Sequence, residues 1–103
     1  MAAPYNPPNK AEEFQIDIGL EDMVNPGSLK ANPTLATGDW KISKDGGAEA
    51  NLTTLPVVQP AGSTTVRVAL SATEMTADVV TITGIDQTNP KEWLDFKLSI
   101  PTT

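Results

Sequence analysis

Residues 40–51 read WKISKDGGAEAN, and the reading of this stretch decides the fold. Trp40 and Ile42 alternate with Lys41 and Ser43. A period of two puts large apolar side chains on one face and polar ones on the other, as in a strand with one face in a core. Lys44-Asp45-Gly46-Gly47 then breaks the alternation. Asp-Gly supplies the two positive φ angles of a type I′ turn, so Asp45 and Gly46 predict a tight hairpin, with Gly47 suited to a bulge beside it. The return from Ala48 has only small apolar side chains before Leu52, which either make room for Trp40 or mark an edge strand.

The same period extends outward in both directions. Toward the N-terminus, Phe14, Ile16, Ile18 and Leu20 alternate with Gln15, Asp17 and Gly19. Asn25-Pro26-Gly27 and Asn32-Pro33 are turn signals, with room for a short strand between residues 28 and 36. Toward the C-terminus, a loop holding Pro56 and Pro60 leads to Val66, Val68 and Leu70 on one face of a strand. Ser71 and Glu74 have capping-box spacing and predict a single helical turn. In the strand that follows, Val80 and Ile82 point inward, and the apolar Val79 on its other face predicts a central position. Finally Leu94, Phe96, Leu98 and Ile100 alternate against Trp93, Asp95, Lys97 and Ser99. That parity directs Trp93 away from the main core, either under a loop or rim, or onto the surface as a partner anchor. Short strands with turn signals every ~8–12 residues predict an all-β fold. We expect an immunoglobulin-like antiparallel β-sandwich of about six or seven strands, with a small barrel as second choice.

At 103 residues the chain is the size of one domain, able to build a core without metal or disulfide staples. Thirteen acids against seven bases give a net charge of −6, and the bases lie scattered. No basic patch for phosphates is present, so nucleic-acid binding is not expected. No run approaches the ~20 apolar residues of a membrane span. The first residues, MAAPYNPPNK, lack the charged and apolar regions of a secretory signal, so a cytoplasmic site of synthesis without secretion is expected. Histidine and cysteine are both absent. Their absence removes the usual nucleophilic triads, the commonest general base and the usual zinc or copper ligands. The strand acids Asp17, Asp39 and Asp95 read as solvated surface. No phosphate loop or EF-hand spacing exists; the least excluded ion is calcium, near Asp86 and Asn89 or near Glu21, Asp22 and Asn25. A non-enzymatic protein with no catalytic residues, no cofactor and no metal is expected.

Residues 1–11 form a separate segment with Pro4, Pro7 and Pro8, no apolar periodicity and one aromatic, Tyr5. They read as an extended N-terminal arm ahead of a domain at 12–103, either floppy or ordered on a neighbouring subunit. Fully extended, the arm reaches about 35 Å. Deleting residues 2–11 should then leave the melting temperature of the domain nearly unchanged.

WKISKDGGAEANL (40–52) followed by VRVALSATEMTADVVTITG (66–84) resembles a class of small tailed-bacteriophage structural proteins. In that class a strand ending Ser-Lys-Asp/Asn-Gly-Gly precedes a hydrophobic-x-Leu-x-Ala-Thr/Asp segment with a short helical turn, and then further strands. The matching positions are Ile42–Ala48, Val68–Thr76 and Val79–Gly84, and the likeness covers roughly residues 14–100. Ser63-Thr64-Thr65 departs from the aromatic often found in the family before the Val-x-Leu strand. The resemblance implies an immunoglobulin-like module of a virion. Combined with the arm, it implies a capsid decoration (cement) protein that binds and stabilises the assembled head. The alternatives are a tail or baseplate adaptor, a fibre-associated binding module, or a non-phage interaction domain. The implied partners are the major capsid protein lattice or tail and baseplate proteins, with self-association also open. The candidate partner-binding residues are Pro4, Tyr5, Pro7 and Pro8 in the arm, Asp45 and Gly46 at the hairpin tip, and Trp93.

Overall fold

Wherever apolar and polar residues alternate over five or six positions, the chain pairs as a strand. The computed structural model describes residues 7–103, so Pro4 and Tyr5 lie outside the described residues. Its strands are β1 (Phe14–Gly19), β2 (Trp40–Lys44), β3 (Ala50–Asn51), β4 (Val57–Val58), β5 (Thr65–Leu70), β6 (Val79–Gly84) and β7 (Phe96–Pro101). All pairings are antiparallel, in a three-stranded sheet of order β1-β5-β4 and a four-stranded sheet of order β3-β2-β6-β7. The two sheets form a β-sandwich, as the alternation predicts. β6 is central, as expected from the apolar Val79 on its second face, and β3 is an edge strand. β4 falls in the stretch between Pro56 and Pro60 read as loop. Two residues long and on a sheet edge, it is a position where flanking prolines cost no ladder bonds. Residues 28–36 hold no strand, only a single bridge from Leu29 to Glu21.

The inward residues of both sheets meet in one core. Val66, Val68 and Leu70 come from β5, Trp40 and Ile42 from β2, Val80 and Ile82 from β6, and Ile100 from β7. Leu20, Met75 and Trp93 join them from outside the strands. The row Trp40–Gly84–Phe96 runs across the larger sheet. A Cβ on Gly84 would lie 2.8 Å from Trp40 Cζ3, so only glycine lets the indole lie across β6. There Trp40 stacks on Trp93 at 5.4 Å between ring centroids and meets Phe96 at 6.0 Å.

Along one side the two sheets are joined at both ends. Beyond β1, Met23 N–H donates to Glu92 O (3.0 Å) and Leu94 N–H to Glu21 O (3.0 Å), around the bridge between Asp22 and Trp93. At the opposite end, Lys10 N–H donates to Thr103 O at 2.9 Å. This geometry corrects the parity expected of Trp93. β7 begins only at Phe96, and residues 93–95 leave its register to bridge toward the other sheet. Trp93 is therefore fully buried, with its indole N–H donating to Thr34 O (3.2 Å), and it is not a surface anchor.

Candidate partner-binding surfaces

The end of the sandwich carrying the Asp45–Gly46 turn is a hydrogen-bonded platform. Asp45 and Gly46 have φ of 51° and 76°, and Gly47 N–H donates to Lys44 O at 2.9 Å, the type I′ turn expected from Asp-Gly. Lys44 faces Gly47 in the turn, whereas Lys41 pairs with Asn51 in the ladder. The return strand therefore carries one extra residue, a bulge. The tip does not project freely. The Asp45 carboxylate accepts the N–H groups of Asp78 (3.0 Å) and Val79 (2.9 Å), and Asp45 N–H returns to Val79 O at 2.9 Å. Lys44 Nζ donates to Thr73 O (3.1 Å). Gly46→Val is expected to cost about 1–3 kcal/mol, because a β-branched residue resists positive φ, while Gly46→Asn costs much less. Thermal melts of the two variants check this; equal melting temperatures would reject the turn type.

Beside the turn, Ser71 and Glu74 form the capping box read from their spacing. Glu74 N–H donates to Ser71 Oγ (3.1 Å) and Ser71 N–H to Glu74 Oε1 (2.9 Å). The second carboxylate oxygen accepts Thr53 N–H at 2.9 Å and fastens the loop after β3 to this turn.

The arm is shorter than its composition suggests. Thr103 N–H donates to Pro8 O (3.0 Å), Ala11 N–H to Met75 O (3.0 Å), and Lys10 Nζ pairs with Asp78. Residues 8–11 are thus hydrogen-bonded to the folded body. Prolines lack a donor but retain a carbonyl, so Pro8 still pairs. Deletion of residues 2–11 is now expected to lower the melting temperature by roughly 5–10 °C, from three backbone hydrogen bonds worth ~0.5–1.5 kcal/mol each before ordering costs. A deletion ending at Asn6 keeps all three and serves as control. Equal melting temperatures for the two deletions would restore a freestanding eleven-residue arm.

Of the candidate residues, Pro7, Pro8, Asp45 and Gly46 are gathered at this end, where Asp78 links Lys10 to the turn. Trp93 sits at the opposite end, inside.

At that opposite end, acids that read as open surface or as calcium ligands hold loop N–H groups instead. Asp22 Oδ1 accepts from Val24 (2.8 Å) and Glu21 Oε2 from Gly27 (3.0 Å). Asp86 Oδ1 accepts from Thr88 (2.8 Å) and Oδ2 from Glu92 (2.7 Å). Asp39, expected in solvent, is 1% exposed and accepts Ala36 N–H and Gln87 N–H, each at 3.1 Å. Asp17 and Asp95 remain on the surface, paired with Arg67 and Lys91. Among the described residues no three acids converge on a metal-sized site.

Burial works against ionised Asp86, but hydrogen bonds from Glu92, Thr88 and Trp93 outweigh it and hold its pKa below the usual carboxylate value. The hydrogen bond from Arg67 lowers Asp17 likewise, against a smaller opposing effect of burial. A lowered folded pKa stabilises above the unfolded value, near 4, and that stabilisation is lost as pH falls through the folded value. Urea midpoints should therefore be flat near neutrality and drop below about pH 4. Asp86→Asn should flatten the acid limb.

Composition gave no hint of one surface. The loop between Leu20 and Lys30 closes on itself, with Asp22 N–H bonded to Ser28 O (2.8 Å) and Lys30 N–H to Leu20 O (2.7 Å). At its tip Val24 is 79% exposed, and Met23 and Leu29 are also exposed. The Met23-Val24 pair, flanked by acids and a turn signal, was the available signal. The turn N–H groups are held by the loop's own acids, so the apolar tip is preorganised for contact. Compared with known proteins, the chain matches no family model, no curated protein and no solved structure.

Proposed function

We propose that this protein is a non-enzymatic virion structural protein of a tailed bacteriophage, of the capsid decoration type, which docks on the assembled head and stabilises it. The observation that carries the reading is how the phage-like segments lie in the fold. Residues 42–48, 68–76 and 79–84 are separate in sequence but form one piece. Lys44 binds Thr73 O, and Asp45 holds the N–H groups leading into β6. The segments that carry the resemblance thus lie together in one part of this fold. The platform built from them, with Pro8 and Lys10 bonded alongside, is the surface we assign to contact with the head. The net charge of −6 keeps the unbound protein soluble and repulsive toward its own copies.

The test is to mix purified protein with heads that lack it and to sediment the mixture. Saturable binding to heads, with a rise in the temperature at which they release DNA, is the expected result. Binding to isolated tails alone would make the protein a tail adaptor instead.

A further inference from the structure

β1 and β7 are end strands of their sheets, and each is six residues long. They run along the side where Pro8 and Lys10 bond Thr103, and where Glu21 and Met23 bond Leu94 and Glu92. Between those two junctions no Cα of β1 comes within 8 Å of a Cα of β7. Facing Cα atoms of an antiparallel ladder are about 4.5–5.5 Å apart, so a slot lies open between the two strands. The inward side chains of β5 are buried, whereas Phe14, Ile16 and Ile18 of β1 and Phe96 and Leu98 of β7 are only half-buried. Ladder parity shows which backbone groups of β1 are free. Gln59 N–H donates to Thr65 O (3.0 Å), so Thr65, Arg67 and Ala69 bond toward β4, and Val66, Val68 and Leu70 bond toward β1. The last three face Ile18, Ile16 and Phe14, which leaves the N–H and C=O groups of Gln15, Asp17 and Gly19 directed at the open edge. Farther along that odd-numbered row, Glu21 O and Met23 N–H are the groups that bond Leu94 and Glu92. Among the described residues no partner outside the ladder takes the N–H groups of Gln15, Asp17 and Gly19.

We propose that the free edge of β1 binds an extended segment of another protein as an added strand, apolar at alternate positions and basic at those between. Its backbone bonds Gln15, Asp17 and Gly19 and extends the three-stranded sheet to four. Facing residues of paired strands share a face, so its apolar side chains cover Phe14, Ile16 and Ile18 at the mouth of the slot. Charge sets the positions between. The exposed Glu13 and Asp17 are the ionisable side chains on the outer face of this edge, in a chain of net charge −6. Arg67 lies on the β5 side of Asp17, which leaves the edge side to a base on the added strand. The same acids argue against a second copy as the occupant. Pairing β1 with β1 of another copy brings Glu13 and Asp17 of each among those of the other, and facing like charges are destabilising. The edge of β7 is a poorer template. Thr102 N–H donates to Asp78 O (2.9 Å), so by the same parity Lys97, Ser99 and Pro101 face outward there. Pro101 has no N–H, and lysine and proline are the residues that guard edge strands against added ones. The proposal does not depend on the virion reading.

Amide hydrogen exchange of the ¹⁵N-labelled full chain tests this. In the free protein the N–H groups of Gln15, Asp17 and Gly19 should exchange at least about tenfold faster than those of Ile16 and Ile18, which bond β5. The peptide acetyl-Lys-Val-Lys-Val-Lys-Val-amide should slow the three edge amides about tenfold at saturation, with half the effect at about millimolar peptide. A peptide of the same composition without the alternation, and one with Glu in place of Lys, should each bind at least about tenfold more weakly. Edge amides left unchanged by the alternating peptide would overturn the proposal. Equal protection by the non-alternating peptide would do so too, as would protection of Lys97 and Ser99 in place of the β1 amides. Slow exchange of the three amides in the free protein, with a dimeric mass, would give the edge to a second copy and overturn the proposal as well.

Discussion

Trp93→Ala is expected to destabilise the protein by about 3–5 kcal/mol, the usual cost of removing a fully buried tryptophan and leaving a cavity. Trp93 has no exposed surface, stacks on Trp40 and donates its N–H to Thr34 O. Truncation removes the aromatic contact and leaves that carbonyl without its donor. It also removes the apolar body at the junction where Asp22 bridges from the end of β1. For a chain of this length each kcal/mol is worth ~4–8 °C, so the melting temperature should fall by roughly 15 °C or more. Trp93→Phe should recover most of the loss, because it keeps the ring and gives up only the N–H. A fall of a few degrees for Trp93→Ala would return this side chain to the surface.

Asp39→Ala should cost about 2–4 kcal/mol, from the loss of two hydrogen bonds to a buried carboxylate. The Asp39 carboxylate joins Ala36 N–H, in the turn before β2, to Gln87 N–H, in the loop between β6 and β7. Its own carbonyl accepts Ile85 N–H at 2.8 Å, and its own N–H donates to Ala36 O at 3.1 Å. Asp39 thus clamps two loops at the end of the sandwich and fixes the backbone just ahead of Trp40. Asp39→Asn retains one carbonyl acceptor and should lose about half as much. Equilibrium unfolding in urea, with the slope checked for constancy, measures both. Equal losses for the two variants would mean that the negative charge, and not acceptor geometry, matters there.

The contrast between Asp17 and Asp39 shows what the sequence made legible. Asp17 lies in the middle of a strict alternation, so its exposure follows from period two, and it does pair on the surface with Arg67 opposite it on β5. Asp39 lies just outside its alternation, in Thr37-Gly38-Asp39, where period says nothing and loop geometry decides. Trp93 failed for a related reason. The alternation Leu94–Ile100 is real from Phe96 onward, but extending it backward assumed a strand that had not begun. Parity carries across a strand and resets at its ends. β4 was missed because a pairing of two residues has no period to detect. By contrast, the Asp45–Gly46 turn and the Ser71–Glu74 capping box were legible in full, since each is a local geometry that its own residues dictate. The candidate partner surface was only half legible. The composition of the arm was visible, but the anchoring of Pro8 and Lys10 depends on Thr103 and Asp78, far away in sequence.

The central claim is that this sandwich is displayed on a phage head, and immunogold electron microscopy of purified virions, with antibody to the protein, tests it most directly. The account predicts gold distributed over the heads of intact particles. Gold confined to tails, or intact virions left unlabelled by an antibody that recognises the native protein, would contradict it.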